Sequence, residues 1–168
     1  ALFVHSSRFL RTPDGSVFSR SSFPYQAWIR YLKYFDGLIV IGRISDCKEV
    51  PAGLSLSSGP HVTFVGVPDD HDSLFQKLQI GPKSRIIIQE MLKCDAVIVR
   101  QSNLGWLAAR EAKRRKIPWA VEVVSDAWNS YWHYGSLLGK LYAPIAWWGS
   151  RYWIGQAGFV IYVTREYL

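Results

Sequence analysis

Short apolar runs that read as strands alternate along this chain with patterns of helical period, and this alternation leaves few folds open. Strand-like runs begin near residues 2, 38, 62, 96, 120 and 159. Each is almost continuously apolar, as expected of parallel strands whose two faces are both covered by helices. The 168 residues suit one domain with a sizeable core. The expected fold is therefore α/β: three layers, α/β/α, around a mostly parallel sheet of about six strands.

The first run, Leu2–His5, leads into a long loop that holds Asp14, Gly15 and Ser16. Pro24 suits the first turn of a helix, where its missing N–H does no harm, and Ala27, Trp28, Tyr31, Leu32 and Phe35 follow at helical spacing. Leu38–Ile44 reads as a buried strand, residues 46–60 as a Ser-, Gly- and Pro-rich loop, and Val62–Val67 as a strand stopped by Pro68. A helix from about Lys83 to Lys93 precedes strand Ala96–Arg100. Ser102 can cap the next helix, whose buried stripe is Leu104, Leu107, Ala108 and Ala112. Strand Ala120–Ser125 comes after Pro118, and Phe159–Thr164 reads as the last strand. Between them Leu138, Leu141, Tyr142, Ile145, Trp148 and Tyr152 recur at helical spacing, with Pro144 expected to kink or split the helix.

Composition excludes several classes. Hydrophobic residues at 49% and charged residues at 20% rule out a disordered chain. No apolar stretch approaches the ~20 residues of a spanning helix, and Ala1 opens into an apolar run without a basic leader, so a soluble domain is expected. Cys47 and Cys94 form no CxxC pair and read as reduced thiols of a cytosolic protein. The net charge of +7 is uneven: residues 1–45 carry six basic and two acidic groups, residues 46–99 five and seven, and residues 100–168 nine and four. Such polarity suits a phosphate-bearing partner without choosing among nucleotide, anionic lipid and nucleic acid.

The familiar motifs fail when tested. No GxG occurs anywhere, and the first glycine after His5 is Gly15, which argues against a dinucleotide site. Gly135-x-x-x-Gly139-Lys140 is one residue short of a phosphate loop and has Leu141 where Ser or Thr should stand. There is no GxSxG elbow, and Asp69-Asp70-His71-Asp72 lacks a metal-ligand spacing, so no metal and no resident cofactor are expected. The run Lys113–Lys116 ends a helix, where the dipole alone favours cations. With no recognised reading motif, no nucleic-acid partner is expected.

Three places at carboxyl ends of strands, where open α/β sheets bind ligands, remain as candidates. The first is Ser6 with the loop of Asp14, Gly15 and Ser16. The second is Arg100-Gln101-Ser102-Asn103, where a guanidinium meets a helix N-terminus receptive to anions. The third is Asp126, an acid ending an apolar strand, suited to sugar hydroxyls. Against these stand plainer readings: Ser102 and Asp126 as helix caps, Arg100 as a surface charge.

The segment Ser22-Phe-Pro-Tyr-Gln-Ala-Trp-Ile-Arg-Tyr-Leu, running into Phe35-Asp36-Gly-Leu-Ile-Val-Ile-Gly-Arg43, resembles the amino-terminal domain of family 4 glycosyltransferases of GT-B fold. So do Asp95-Ala-Val-Ile-Val-Arg100 and Ile117-Pro-Trp-Ala-Val-Glu-Val-Val-Ser-Asp126-Ala-Trp128, while Ala157–Leu168 resembles the strand before the interdomain crossing. The resemblance implies a Rossmann-like domain, residues 1–168, that holds the acceptor and is inactive by itself. A second domain, absent here, would bind the nucleotide-sugar co-substrate through a glutamate pair eight positions apart, which no two glutamates of this chain match. Members often carry a Gly-Gly turn after the first strand, where this chain has the Asp14-Gly15-Ser16 loop, and Asp-Pro-Trp where it reads Asp126-Ala127-Trp128.

The implied chemistry is metal-free glycosyl transfer with retention, in cell-surface polysaccharide or glycolipid synthesis. The implied cleft residues are Ser6, Asp14, Gly15, Ser16, Arg43, Arg100, Gln101, Ser102, Asn103 and Asp126, with Asp126 the candidate catalytic group. The partner would be a saccharide or lipid-linked saccharide acceptor, and the site of action cytoplasmic, at the inner membrane face. Residues 127–165 contain no Asp or Glu but five of the eight tryptophans, which fits peripheral membrane contact as well as a core helix with large aromatics. The competing reading is a non-catalytic α/β module that binds a phosphorylated ligand or a protein through Arg100.

Overall fold

The computed structural model describes residues 1–20, 23–67, 80–133 and 137–163. The acidic run Asp69–Asp72, Gly135 of the phosphate-loop lookalike and the segment from Thr164 onward lie outside them. In chain order the elements are β1 (Leu2–Arg11), β2 (Val17–Arg20), α1 (Gln26–Leu32), β3 (Leu38–Asp46), β4 (Leu54–Leu56) and β5 (Val62–Val67). They continue with α2 (Ile80–Met91), β6 (Val97–Arg100), α3 (Asn103–Arg115), β7 (Trp119–Val123), α4 (Ala127–Trp132), α5 (Leu137–Ile154) and β8 (Phe159–Tyr162).

All eight strands join one sheet. Six are mutually parallel in the order β5-β3-β1-β6-β7-β8, which, numbered along the chain, is the 3-2-1-4-5-6 order of a Rossmann fold. The order reverses between β1 and β6, so a crevice opens at their carboxyl ends.

The two additional strands fall where the sequence suggested loops. β1 does not stop at His5: a register shift between Val4 and Arg8 interrupts it, and Arg8–Arg11 goes on pairing with β3. Opposite β3, on the edge that β6 occupies up to Val4, this extension pairs antiparallel with β2, and β2 with β4. The hairpin thereby reaches roughly 20 Å past the end of β6, at about 3.3 Å per residue. Gly15, at φ 86°, supplies the left-handed residue of its turn. Phe9 and Val17 are buried, which anchors the extension to the domain.

Alternate side chains of the sheet serve two cores. On one face Leu2, Val4, Val97, Val99 and Val121 pack with Ile87 and Met91 of α2 and Leu104, Ala108 and Ala112 of α3. On the other, Phe3, Phe9 and Val40 meet Phe23, Trp28 and Tyr31. There the Phe23 and Trp28 rings stack at 5.1 Å, and Trp28 Nε1 donates to the Ser57 carbonyl at 3.1 Å. This aromatic packing holds α1 in place although it has only seven residues.

Pro144 does not split α5, which runs through it as one element of 18 residues. The stripe of Leu138, Leu141, Tyr142, Ile145, Trp148 and Tyr152 faces outward, and Ala143 and Ser150 are the buried positions instead. Helical period reports that one face is apolar; it does not report which face the rest of the molecule covers.

The approach of α3 to β6 sets the geometry at the crevice. A Cβ at Gly105 would stand 2.2 Å from the Arg100 carbonyl oxygen, a backbone atom with no freedom to move aside. Gly105→Ala should therefore cost about 1–3 kcal/mol from overpacking, although alanine is otherwise the better helix former. Urea denaturation tests this, and an unchanged or higher midpoint would mean that α3 can draw back from β6.

Candidate functional site

The carboxyl ends of β6 and β7, the first turn of α3, and helices α4 and α5 enclose a cleft of about 370 Å³. Gln101, Ser102, Asn103 and Ser125 come from the strand ends and the α3 terminus. Trp106, Tyr131, Tyr142 and Trp153 supply aromatic walls, and Ser130 and Ser150 add hydroxyls from α4 and α5. Among the described residues none of the lining side chains is an acid, a lysine, an arginine or a histidine. Gln101 Nε2 donates to Ser150 Oγ at 3.2 Å, while its Oε1 is buried without a protein partner, leaving an acceptor beside the cleft.

Of the residues expected from sequence, Gln101, Ser102 and Asn103 line this cleft. Ser6 is joined to them: its N–H donates to Ser102 Oγ at 3.3 Å, and its own Oγ accepts from the Leu104 N–H at 3.2 Å. Ser102 caps α3 by accepting from the Gly105 N–H at 3.1 Å and donates its hydroxyl to the Arg100 carbonyl at 3.0 Å. Two N–H groups of that helix terminus are thus already engaged by serine hydroxyls, which leaves less there for an anion.

The other candidates stand elsewhere. Asp14 and Ser16 close the hairpin turn on themselves: Thr12 Oγ1 donates to Asp14 Oδ1 at 2.5 Å and Ser16 Oγ to Asp14 Oδ2 at 2.8 Å. Those bonds hold the exposed Asp14 carboxyl below its usual range. Arg43, half-buried on β3, lies across β1 from the cleft. Arg100 turns toward α1, with its guanidinium 4.7 Å above the Phe23 ring and Nε 3.9 Å from Glu122 Oε2. Asp126 caps α4, its carboxylate accepting from the Trp128 N–H at 3.3 Å and the Asn129 N–H at 3.2 Å. Asp126→Ala should accordingly cost about 1 kcal/mol of stability, most of it recovered in Asp126→Ser. Urea denaturation of the two variants tests this, and equal losses would show that the cap contributes nothing.

Two polar centres near the crevice were not singled out from sequence. Glu122, fully buried on β7, accepts from Arg30 at 2.6 Å and from the Tyr31 hydroxyl. Burial, followed by the Glu122 charge, pushes the Tyr31 hydroxyl well above its ordinary range. The second is His5, at the end of the regular part of β1. Its Nδ1 accepts the Ser7 N–H at 3.2 Å and lies 2.6 Å from Ser7 Oγ, which puts the proton of the neutral ring on Nε2. Burial first, then the charges of Arg100 and Arg43, lower its pKa to about 4. A lone histidine in an apolar strand carries no sequence signal of this kind.

By strand order and cleft position the chain is a Rossmann-type α/β domain. No family model and no solved structure matches it. It is similar to protein CapJ of Staphylococcus aureus, at 30% identity over 179 aligned residues that cover 99% of this chain and 42% of that protein. The chain thus spans about two-fifths of the length of this curated relative. Among the described residues no helix is long and apolar enough to cross a membrane, and no group of three His, Cys, Asp or Glu side chains could hold a metal ion.

His5 makes stability depend on pH. Its folded pKa of about 4 lies below the ordinary 6.5, so the unfolded chain binds the proton first, and stability falls as pH drops from about 6.5 toward 4. Between pH 7 and 5 the loss should be about 2 kcal/mol, and His5→Gln should remove most of it. Urea midpoints at the two pH values test this; an equal pH dependence in the variant would assign the proton uptake elsewhere.

Proposed function

We propose that the chain is the acceptor-binding domain of a retaining, nucleotide-sugar-dependent glycosyltransferase of the GT-B type, acting in cell-surface polysaccharide or glycolipid synthesis. The donor is held mainly by a second domain, and the domain described here is inactive alone. One observation carries the reading: a cleft at the carboxyl edge of a Rossmann-ordered sheet, walled by Trp and Tyr rings, lined by serine, asparagine and glutamine side chains, and free of ionised groups among the described residues. Sugar rings present C–H faces that pack on aromatic rings and hydroxyls that pair with amides and hydroxyls, so the cleft suits a neutral saccharide.

Two further features support it. Where a dinucleotide-binding domain turns sharply after its first strand to cradle phosphates, β1 here continues into the β2 hairpin, which agrees with a donor bound elsewhere. Similarity to 42% of a longer protein agrees with a catalytic unit larger than this domain. The alternative, a module for phosphorylated ligands built on Arg100 and the α3 terminus, has less support: Arg100 faces Glu122, and Leu104 and Gly105 already donate to hydroxyls.

Ligand-observed NMR with neutral oligosaccharides and with nucleotide-sugars tests the reading. Saccharide signals should broaden on adding the protein, and Trp106→Ala and Gln101→Ala should each weaken binding about fivefold, one stacking contact or one hydrogen bond being worth about 1 kcal/mol. Nucleotide binding without saccharide binding, or saccharide binding indifferent to both substitutions, would overturn it.

A further inference from the structure

The outward face of α5 is an exposed apolar surface apart from the interior of the cleft. Leu137, Leu138, Leu141, Ile145 and Trp148 are 82, 77, 74, 64 and 69% exposed. At 100° per residue these five and Tyr152 fall within one arc of about 100°, opposite the buried Ala143 and Ser150. A helix normally buries such a stripe, and α5 presents it to the surroundings over some 22 Å of its length, at 1.5 Å per residue. Lys140 and Arg151 border it on one side, and the Arg151 guanidinium lies 4.8 Å above the Trp147 ring. No acid occurs between Ala127 and Val163, so nothing on these elements offsets the two cations.

We propose that α5 docks this face in the surface of an anionic membrane, its axis in the plane of the bilayer and its leucines among the upper acyl chains. Three observations select lipid over protein as the occupant. The charges bordering the stripe are of one sign, which complements anionic headgroups, whereas protein partners are commonly met with mixed charges. Aliphatic side chains occupy the amino-terminal part of the stripe, from Leu137 to Ile145, and Trp148 and Tyr152, with Arg151 beside them, its carboxyl-terminal end; rings of this kind favour the headgroup boundary. No described helix is apolar enough to span, so the helix lies on the bilayer instead of crossing it. Tyr142 and Ile145 belong both to the exposed side of α5 and to the cleft wall, so a seated helix brings the cleft mouth to the lipid surface. The docking does not depend on what the cleft binds.

Sedimentation with phosphatidylcholine vesicles, with and without phosphatidylglycerol, tests the proposal. The bound fraction should rise with phosphatidylglycerol and fall with salt. Leu141→Glu combined with Trp148→Glu should lower binding at least about tenfold with no loss of thermal stability, because both positions are exposed. On the unsubstituted protein, phosphatidylcholine brominated in its acyl chains, mixed with phosphatidylglycerol, should quench tryptophan emission. Protein that stays in solution at every phosphatidylglycerol content, or shows no quenching, would overturn the proposal. So would a dimer dispersed by Leu141→Glu, which would assign the face to a second copy of the chain. Saccharide binding is read without lipid, so failure of one proposal leaves the other standing.

Discussion

The carboxyl edge of this sheet is organised by the contact between the first turn of α3 and the end of β6. Gly105 sits against the Arg100 carbonyl, Ser102 bridges that carbonyl and the Gly105 N–H, and Ser6 exchanges hydrogen bonds with Ser102 and Leu104 across the switch point. Two serines and a glycine thus lock the second half of the fold to the first where the strand order reverses. Gln101 and Asn103 face the cleft because the residues flanking them are fixed in this way, and Trp106 follows one turn along. A longer side chain at position 105 would move the wall of the cleft before it touched any ligand.

The parallel core was legible in the sequence because strands buried on both faces are written as unbroken apolar runs. Their starts, near residues 2, 38, 62, 96, 120 and 159, agree with the observed strands to within about a residue, well inside the usual uncertainty of element boundaries. The hairpin extension was not legible: β2 and β4 are four and three residues long, and their polar positions look like loop. Its signal was present as Asp14-Gly15 between short runs, one burying Phe9 and the other Val17 and Ser19. Gln101 and Ser150 meet although 49 positions apart, and no local pattern announces such a pair. For Asp126 and Ser102 the plainer reading as caps describes what their side chains do, whatever else they touch.

Several of the arginines lie beside buried carboxylates. Glu122 draws in Arg30 and Arg100, and Glu111, almost completely buried on α3, gathers Arg110, Arg114 and Arg115 within 3.6 Å or less. Lys113 is also engaged, donating to Gln156 at 2.7 Å. Arg114 and Arg115 of the basic run at the end of α3 thus lie beside a carboxylate of their own helix. Arg30 and Arg100, by contrast, join α1 and β6 to β7 through Glu122.

β8 ends one wing of the sheet, pairs with β7 alone among the described strands, and exposes Phe159, Val160, Ile161 and Tyr162. Free backbone donors and acceptors flanked by apolar side chains form a template to which another strand can add. Neither a lysine nor a proline interrupts those four positions, so the brevity of the strand is what restrains such pairing. Growth of the sheet on this wing would begin at β8 and bury its apolar side chains.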